Sequence, residues 1–394
     1  MKNRKRLLAL LLSLALIISL CACGSGDWDA TASVSLEASP SPDPGVSMDP
    51  GAEPTIEVDL TRDAVAFAAG LSGDDVLLTV NGEDIPADLF LYWLFMDCYY
   101  FEYSYYFYGL AVADFTDMLL EDTVNTAMYY TVLRQRAAEL GCLPTDAQVQ
   151  EAKDQLMADG QDYYDSLKTA YGLSDGSFDY LSTISYYYEN LLDAVVPTVT
   201  DEMLNGYVYQ VKHILLKTVD DQRQPLSGDE IAAQRALAED ILAQLQAVEG
   251  EEQLELFDEL MNQYSEDGRD ENGDLYSPDG YTAVPGDMVP EFEETSLALP
   301  IGGLSGIVES SYGYHIILRG EVADLESYAD DCRMYHLDQE LDALTETAEA
   351  TRAPALNELD VAAFYDRYSA YQNAVMGRYD APESEAPVYG DAVG

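Results

Sequence analysis

Tyr207-Val-Tyr-Gln-Val-Lys-His-Ile-Leu-Leu-Lys217 and Ser310-Ser-Tyr-Gly-Tyr-His-Ile-Ile-Leu-Arg319 open and close the stretch that decides the fold. Each is a short apolar run carrying one histidine, in a chain that has three. Side chains alternate between the two faces of a strand, so Val211, His213 and Leu215 share a face, as do His315, Ile317 and Arg319. If the two strands are neighbours, two imidazoles can meet on an otherwise apolar sheet face, where neutral rings donate to and accept from one another. The same spacing also fits two unrelated core histidines. Between the runs, Ser227-Gly-Asp-Glu230 has capping-box spacing and opens a helix with the stripe Ile231, Leu237, Ile241, Leu245 and Val248. A second helix, Glu252 to Tyr264, carries Leu254, Phe257, Leu260, Met261 and Tyr264 on one face. A Gly/Asp-rich loop then leads through Asn272-Gly-Asp-Leu275 to Met288-Val-Pro-Glu-Phe292. The order is strand, helices, loop, short helix, strand, strand.

The acidic loop invites a calcium reading, and its register rejects it. With Gly273 as the central glycine, the first ligand position falls on Gly268 and the twelfth on Asp279 in place of glutamate. No metal or cofactor is expected.

The 394 residues allow two or three domain-sized units. Lys and Arg number 19 against 73 Asp and Glu, a net charge of -54, so the chain repels phosphate backbones and nucleic-acid binding is excluded as an expectation. Residues 1–22 form a targeting segment: a basic start (Lys2, Arg4, Lys5, Arg6) and an apolar run, Leu7 to Leu20, short for a membrane span. Leu20-Cys-Ala-Cys23-Gly resembles a bacterial lipobox, which implies cleavage before Cys23 and lipidation of that residue; an ordinary secretory signal cut near Ala22 is the alternative. A lipid there anchors the body to the outer face of the cytoplasmic membrane. Cys98, Cys142 and Cys332 remain, without zinc or framework spacing, as buried thiols or with one disulfide among them.

Residues 23–75, rich in Pro, Ser, Gly and Asp, are expected to be a disordered tether. Order is expected from Val76-Leu-Leu-Thr-Val80, a strand followed by the turn Asn81-Gly82, with a helix starting at Ile85-Pro86. That helix carries Trp93 and tyrosines 92, 99, 100, 103, 105, 106 and 108. Such a stripe packs as core, or presents a large apolar but wettable face to unfolded segments. Helices at 115–140, after the capping box Thr145-Asp-Ala-Gln148, at 161–171 and at 178–195 complete a helical region, 76–206. Helices from Ala323 to about Ala350 and from Leu356 to Tyr371 form a C-terminal flank, 322–375, expected to pack with the first helical region; 376–394 is expected to be a loose tail. A mixed segment, 207–321, is thus inserted between helical flanks.

Lys212-His-Ile-Leu-Leu, Tyr264-Ser-Glu-Asp, Asn272-Gly-Asp-Leu, Met288-Val-Pro-Glu-Phe-Glu, Gly302-Gly-Leu-Ser-Gly-Ile-Val and Tyr312-Gly-Tyr-His-Ile-Ile-Leu occur in parvulin order. The central segment resembles a parvulin-type peptidyl-prolyl isomerase, and with lipobox and helical flanks the chain resembles the PrsA-type foldase lipoproteins, related to SurA-type chaperones. The resemblance implies an α+β fold: a four-stranded antiparallel sheet with surrounding helices, inserted into an all-helical chaperone-like domain. It implies catalytic roles for His213, Asp267, His315 and Ser310, and a proline pocket lined by Leu275, Met288 and Phe292 with Tyr312 at its edge. The loop Tyr276–Asp287 is longer than the family's, with Tyr281 the candidate for its pocket aromatic. The phosphate-binding Lys/Arg cluster is absent after the first strand, where only Lys217 and Arg223 lie near. The implied activity is noncovalent isomerisation of X-Pro bonds in unfolded exported proteins, with the helical region holding clients and offering a homodimer surface. A non-enzymatic holdase with an inactive parvulin-like module is the alternative.

Overall fold

The computed structural model describes residues 56–105 and 108–380, so the leader, the lipobox with Cys23, and the chain beyond Asp380 lie outside the described residues. Seven strands occur among them: β1 (Val76–Val80), β2 (Glu83–Pro86), β3 (Tyr209–Lys217), β4 (Tyr281–Ala283), β5 (Leu304–Glu309), β6 (Gly313–Gly320) and β7 (Ala350–Arg352). They form two antiparallel sheets, ordered β2-β1-β7 and β4-β3-β6-β5. The chain divides into two units, one of residues 195–339 and one formed by the residues on either side.

In the central unit the long pairing of β3 with β6 sets everything else. Its register places Ile214 opposite Ile316 and Leu216 opposite Tyr314 on one face, and Val211 opposite Arg319 and His213 opposite Ile317 on the other. The first face is closed by the helices Gly228–Gln246 and Glu251–Tyr264, whose Ala238, Ile241, Leu245, Phe257, Leu260 and Met261 pack on Ile214, Ile316 and Leu318. The capping box at the start of the first helix is formed in both directions between Ser227 and Glu230. The second face carries Tyr209, Val211, Ala283 and Ile317 beneath Phe292 of the helix Pro290–Ala298. Two glycines permit the close approaches. A Cβ on Gly313, at φ 149°, would stand 2.2 Å from the Leu216 carbonyl oxygen, and one on Gly280, at φ 84°, 2.1 Å from that of Val211.

The flanking unit is mainly helical, around the helix Ala87–Tyr105. Trp93 stacks on Tyr130 with centroids 5.8 Å apart, and Phe95 lies among Tyr171, Tyr365 and Tyr368. The tyrosine stripe divides along its length. Tyr92 is 2% exposed, while Tyr103 and Tyr108 are 74% and 77% exposed. The helix Val361–Asp380 belongs to this unit; Tyr368 donates to the Tyr171 carbonyl at 2.6 Å and Tyr371 to that of Arg62 at 2.9 Å. Cys98 and Cys332 are buried free thiols, and Cys142 is a half-buried one.

Four local expectations change. Ile85 and Pro86 end a strand instead of starting a helix, because Asn81 (φ 52°) and Gly82 (φ 82°) close a two-residue hairpin that pairs Val80 with Glu83. Residues 350–352 are a strand, not the end of a helix: Ala350 pairs with Val80 and completes the sheet. The expected helix Leu356–Tyr371 is two, Pro354–Asn357 and Val361–Asp380, so helix continues past residue 376. Folded structure also begins before Val76, in the helix Ala64–Ala68, capped by Asp63 and burying Ala64, Val65 and Ala68.

Candidate active site

On an antiparallel pair, a residue shares its face with its partner and with residues two positions along. His213 stands opposite Ile317, and His315 opposite Leu215, so the histidines are diagonal neighbours on one face. Their Nδ1 atoms are 3.1 Å apart and their rings stack at 5.3 Å, tilted by 22°. His213 is 8% exposed and His315 4%. Burial and the neighbouring His213 lower His315 from its ordinary value of 6.5 to about 4, despite the opposing pull of Asp267, so the ring is neutral at pH 7.

The loop after the helix Glu251–Tyr264 delivers the carboxylate. Beyond Val211, β4 no longer covers β3, and the loop takes over that edge: Leu215 N–H donates to the Ser265 hydroxyl at 3.1 Å, and Glu266 N–H to the Leu215 carbonyl at 2.8 Å. Asp267 is thereby set over His213, whose Nε2 lies 2.9 Å from Asp267 Oδ2. Tyr281 donates to the same oxygen at 2.6 Å. Burial raises the affinity of Asp267 for a proton, but hydrogen bonds and charge from His213, with the Tyr281 hydroxyl, outweigh it and hold the carboxyl below its usual range.

Ser310 sits where β5 turns into β6. Its N–H donates to the Gly313 carbonyl at 2.9 Å, its hydroxyl lies 2.7 Å from His315 Nε2, and it accepts from Tyr312 N–H at 3.1 Å. An ionised carboxylate only accepts, and with both imidazoles taken as neutral this fixes every proton by assignment. His213 donates from Nε2 to Asp267, His315 donates from Nδ1 to His213, and Ser310 donates to His315 Nε2. The chain of bonds runs in one direction, from Ser310 to Asp267.

Phe292 stands edge-on to both imidazoles, at 5.0 Å from His213 and 5.3 Å from His315, and Met288 packs in the same cluster. Leu275 does not join them; it is buried with Phe257 and Ile316 in the core on the other side of the sheet, a correction to its expected place in the pocket. Tyr312 lies on the turn, under the guanidinium of Arg223 at 5.5 Å. Two buried side chains carry positioning work that the sequence reading did not assign. Ser265 fixes the Asp267 loop, and Arg319 donates to the carbonyls of Ser296, Leu297 and Leu299 at the end of the Phe292 helix and to that of Asn205. The signal for Arg319 was a cation at a face position of an apolar strand.

Residues 199–322 match the family model described as the PPIC-type PPIASE domain. The chain is 27% identical over 281 residues to the foldase protein PrsA of Halalkalibacterium halodurans, covering 69% of this chain and 77% of that one. It is 42% identical over 102 residues to the PrsA foldase of Oceanobacillus iheyensis, covering 25% of this chain and 31% of the relative. Among solved structures, the peptidylprolyl isomerase PrsA of Bacillus cereus aligns over 80% of this chain and 96% of its own at 19% identity, with a TM-score of 0.31. Residues 199–322 thus carry a PPIC-type PPIase domain between helical flanks, and the chain is similar in sequence to PrsA foldases.

Proposed function

We propose that the central domain isomerises X-Pro bonds in unfolded exported proteins, without a covalent intermediate. The observation that carries this reading is the unbroken set of hydrogen bonds from Ser310 through His315 and His213 to Asp267, beneath Phe292. Rotation about an X-Pro bond has a barrier of roughly 18–20 kcal/mol because it breaks amide resonance, which places negative charge on the carbonyl oxygen. Asp267 is the half-buried, charged end of the network, and its field opposes that charge. A substrate held with its proline ring against Met288 and Phe292 and its carbonyl near Asp267 is better accommodated twisted than planar. The histidines keep the carboxylate ionised and oriented; none is asked to attack the substrate. A proline-peptide isomerisation assay on the full chain tests this: His213→Ala and Asp267→Ala should each lower the rate by about a hundredfold, and a wild-type rate equal to that of buffer rejects it.

A second activity, client holding, is favoured by a separate observation. Tyr103, Tyr105, Tyr108, Leu110 and Met118 are exposed on the flanking unit. In this reading suppression of client aggregation survives His213→Ala and falls when Tyr103 and Tyr108 become Ser; loss with His213→Ala alone counts against it. We place the protein outside the cytoplasmic membrane, tethered through lipid on Cys23. Cys23→Ala should abolish palmitate labelling and release the protein from membranes, and unchanged labelling excludes that anchor. A homodimer through the helical region belongs to the same proposal, and sedimentation at monomer mass in the micromolar range rejects it.

A further inference from the structure

We propose that Tyr281 is a positioning residue of this site: its hydroxyl holds Asp267 in the orientation and charge state that fix the direction of hydrogen bonding through His213 and His315. The inference rests on the isomerase reading only for its consequence in activity; its structural content stands alone.

β4 is a three-residue strand in the long connection after Leu275, and it pairs only with the beginning of β3. Tyr281 stands directly opposite Val211, which shares its face with His213 two residues on. The tyrosine ring therefore lies diagonally beside His213, at 5.8 Å, and its hydroxyl reaches over to Asp267 Oδ2. Gly280 makes this possible, since any Cβ there would collide with the Val211 carbonyl that β4 must approach.

With both imidazoles neutral, the network has two self-consistent proton arrangements. With Asp267 ionised, protons sit on His213 Nε2 and His315 Nδ1. With Asp267 protonated, its O–H donates to His213 Nε2, His213 donates from Nδ1 to His315, and His315 donates from Nε2 to Ser310; every tautomer is reversed. The Tyr281 hydroxyl and His213 Nε2 converge on one carboxylate oxygen. The ionised oxygen accepts from both donors, whereas a protonated Oδ2 donates to His213 and is a weaker acceptor toward Tyr281, so the Tyr281 hydrogen bond favours the ionised carboxylate and disfavours the reversed arrangement. The phenol is itself raised above its ordinary range, first by burial and then by its hydrogen bond to Asp267, so it keeps the proton it donates.

The titratable groups bearing on Asp267 are His213 on β3, His315 on β6 and Tyr281 on β4, with the Ser277 hydroxyl bonded to Tyr281. The charged neighbours on its own loop turn elsewhere. Glu266 accepts from Lys217 N–H and from Gln234, and Arg269 donates to the carbonyls of Asn262, Ser265 and Gly273.

The whole chain contains three histidines, so histidine-selective 15N labelling of the full protein gives three rings, with His336 as internal reference. Two-bond 15N–1H correlation spectra distinguish the Nδ1–H and Nε2–H tautomers. At pH 7 the wild type should show His213 as Nε2–H and His315 as Nδ1–H. In Tyr281→Phe, which keeps the ring and loses only the hydroxyl, the Asp267 carboxyl, followed by its 13C shift, should titrate about one unit higher, a tenfold change in proton affinity. An unchanged Asp267 titration in folded Tyr281→Phe overturns the proposal. So does a wild-type spectrum with His213 as Nδ1–H, which requires no variant to fold. The readout is independent of turnover: an inactive wild type with the expected spectra rejects the isomerase reading alone, and an active wild type with an unmoved variant rejects this inference alone.

Discussion

His213 and His315 join Nδ1 to Nδ1 at 3.1 Å, although neither is the other's partner across the sheet. The diagonal geometry leaves each ring's far nitrogen free for a different element: the loop carboxylate of Asp267 on one side and the turn hydroxyl of Ser310 on the other. A directly opposed pair would not separate those outer nitrogens onto a loop and a hairpin.

The first prediction concerns acid. His315 titrates near 4 in the folded protein against 6.5 ordinarily, so the unfolded chain takes up this proton first as the pH falls. The contribution of neutral His315 to stability is complete above 6.5, and is lost between 6.5 and 4. It amounts to about 3 kcal/mol. Asp267, also depressed, contributes in the same direction at still lower pH. Urea denaturation at pH 7, 5.5 and 4 should show His315→Gln losing less stability on acidification than the wild type; parallel losses refute this.

Gly280→Ala tests whether β4 depends on its glycine. The substitution combines φ 84° with an unavoidable clash against the Val211 carbonyl. It should cost about 2 kcal/mol or more in denaturant unfolding, and it should reproduce the Tyr281→Phe effect on the Asp267 titration by carrying the tyrosine away from Asp267.

Arg319→Met retains much of the volume and removes the donors to four carbonyls. Losing a buried charged donor set of this kind should cost about 3 kcal/mol, and the helix Pro290–Ala298, which bears Phe292, should lose amide-exchange protection before the β3–β6 pair does. Equal loss of protection in both would show that Arg319 supports the unit as a whole.

How much was legible follows from how local each signal is. Period-two alternation put His213 and Arg319 each on a defined strand face, and capping-box spacing at Ser227 and Thr145 became capping boxes in both places. The chemistry of Asp267 and Ser310 came through motif resemblance, since nothing in their spacing alone links a loop and a turn to a histidine. Leu275 shows where that route fails: a motif gives a position in the chain, and the loop geometry decides which side of the sheet receives the side chain. β7 was invisible because Ala350-Thr-Arg352 is too short to show a period and its partner Val80 lies far away in sequence. Tyr281 was named as a candidate pocket aromatic, but its three-residue strand among Gly, Pro and Asp, and with it the bond to Asp267, was hidden in the same way.

The central claim is that this network turns X-Pro bonds, and the direct measurement is the cis-to-trans rate of a proline peptide with the full chain at pH 7. The wild type should accelerate isomerisation well above the buffer rate, with Asp267→Ala lowering kcat/KM by about a hundredfold, worth about 3 kcal/mol of transition-state stabilisation. A wild-type rate equal to buffer, or an Asp267→Ala variant as fast as wild type, contradicts it.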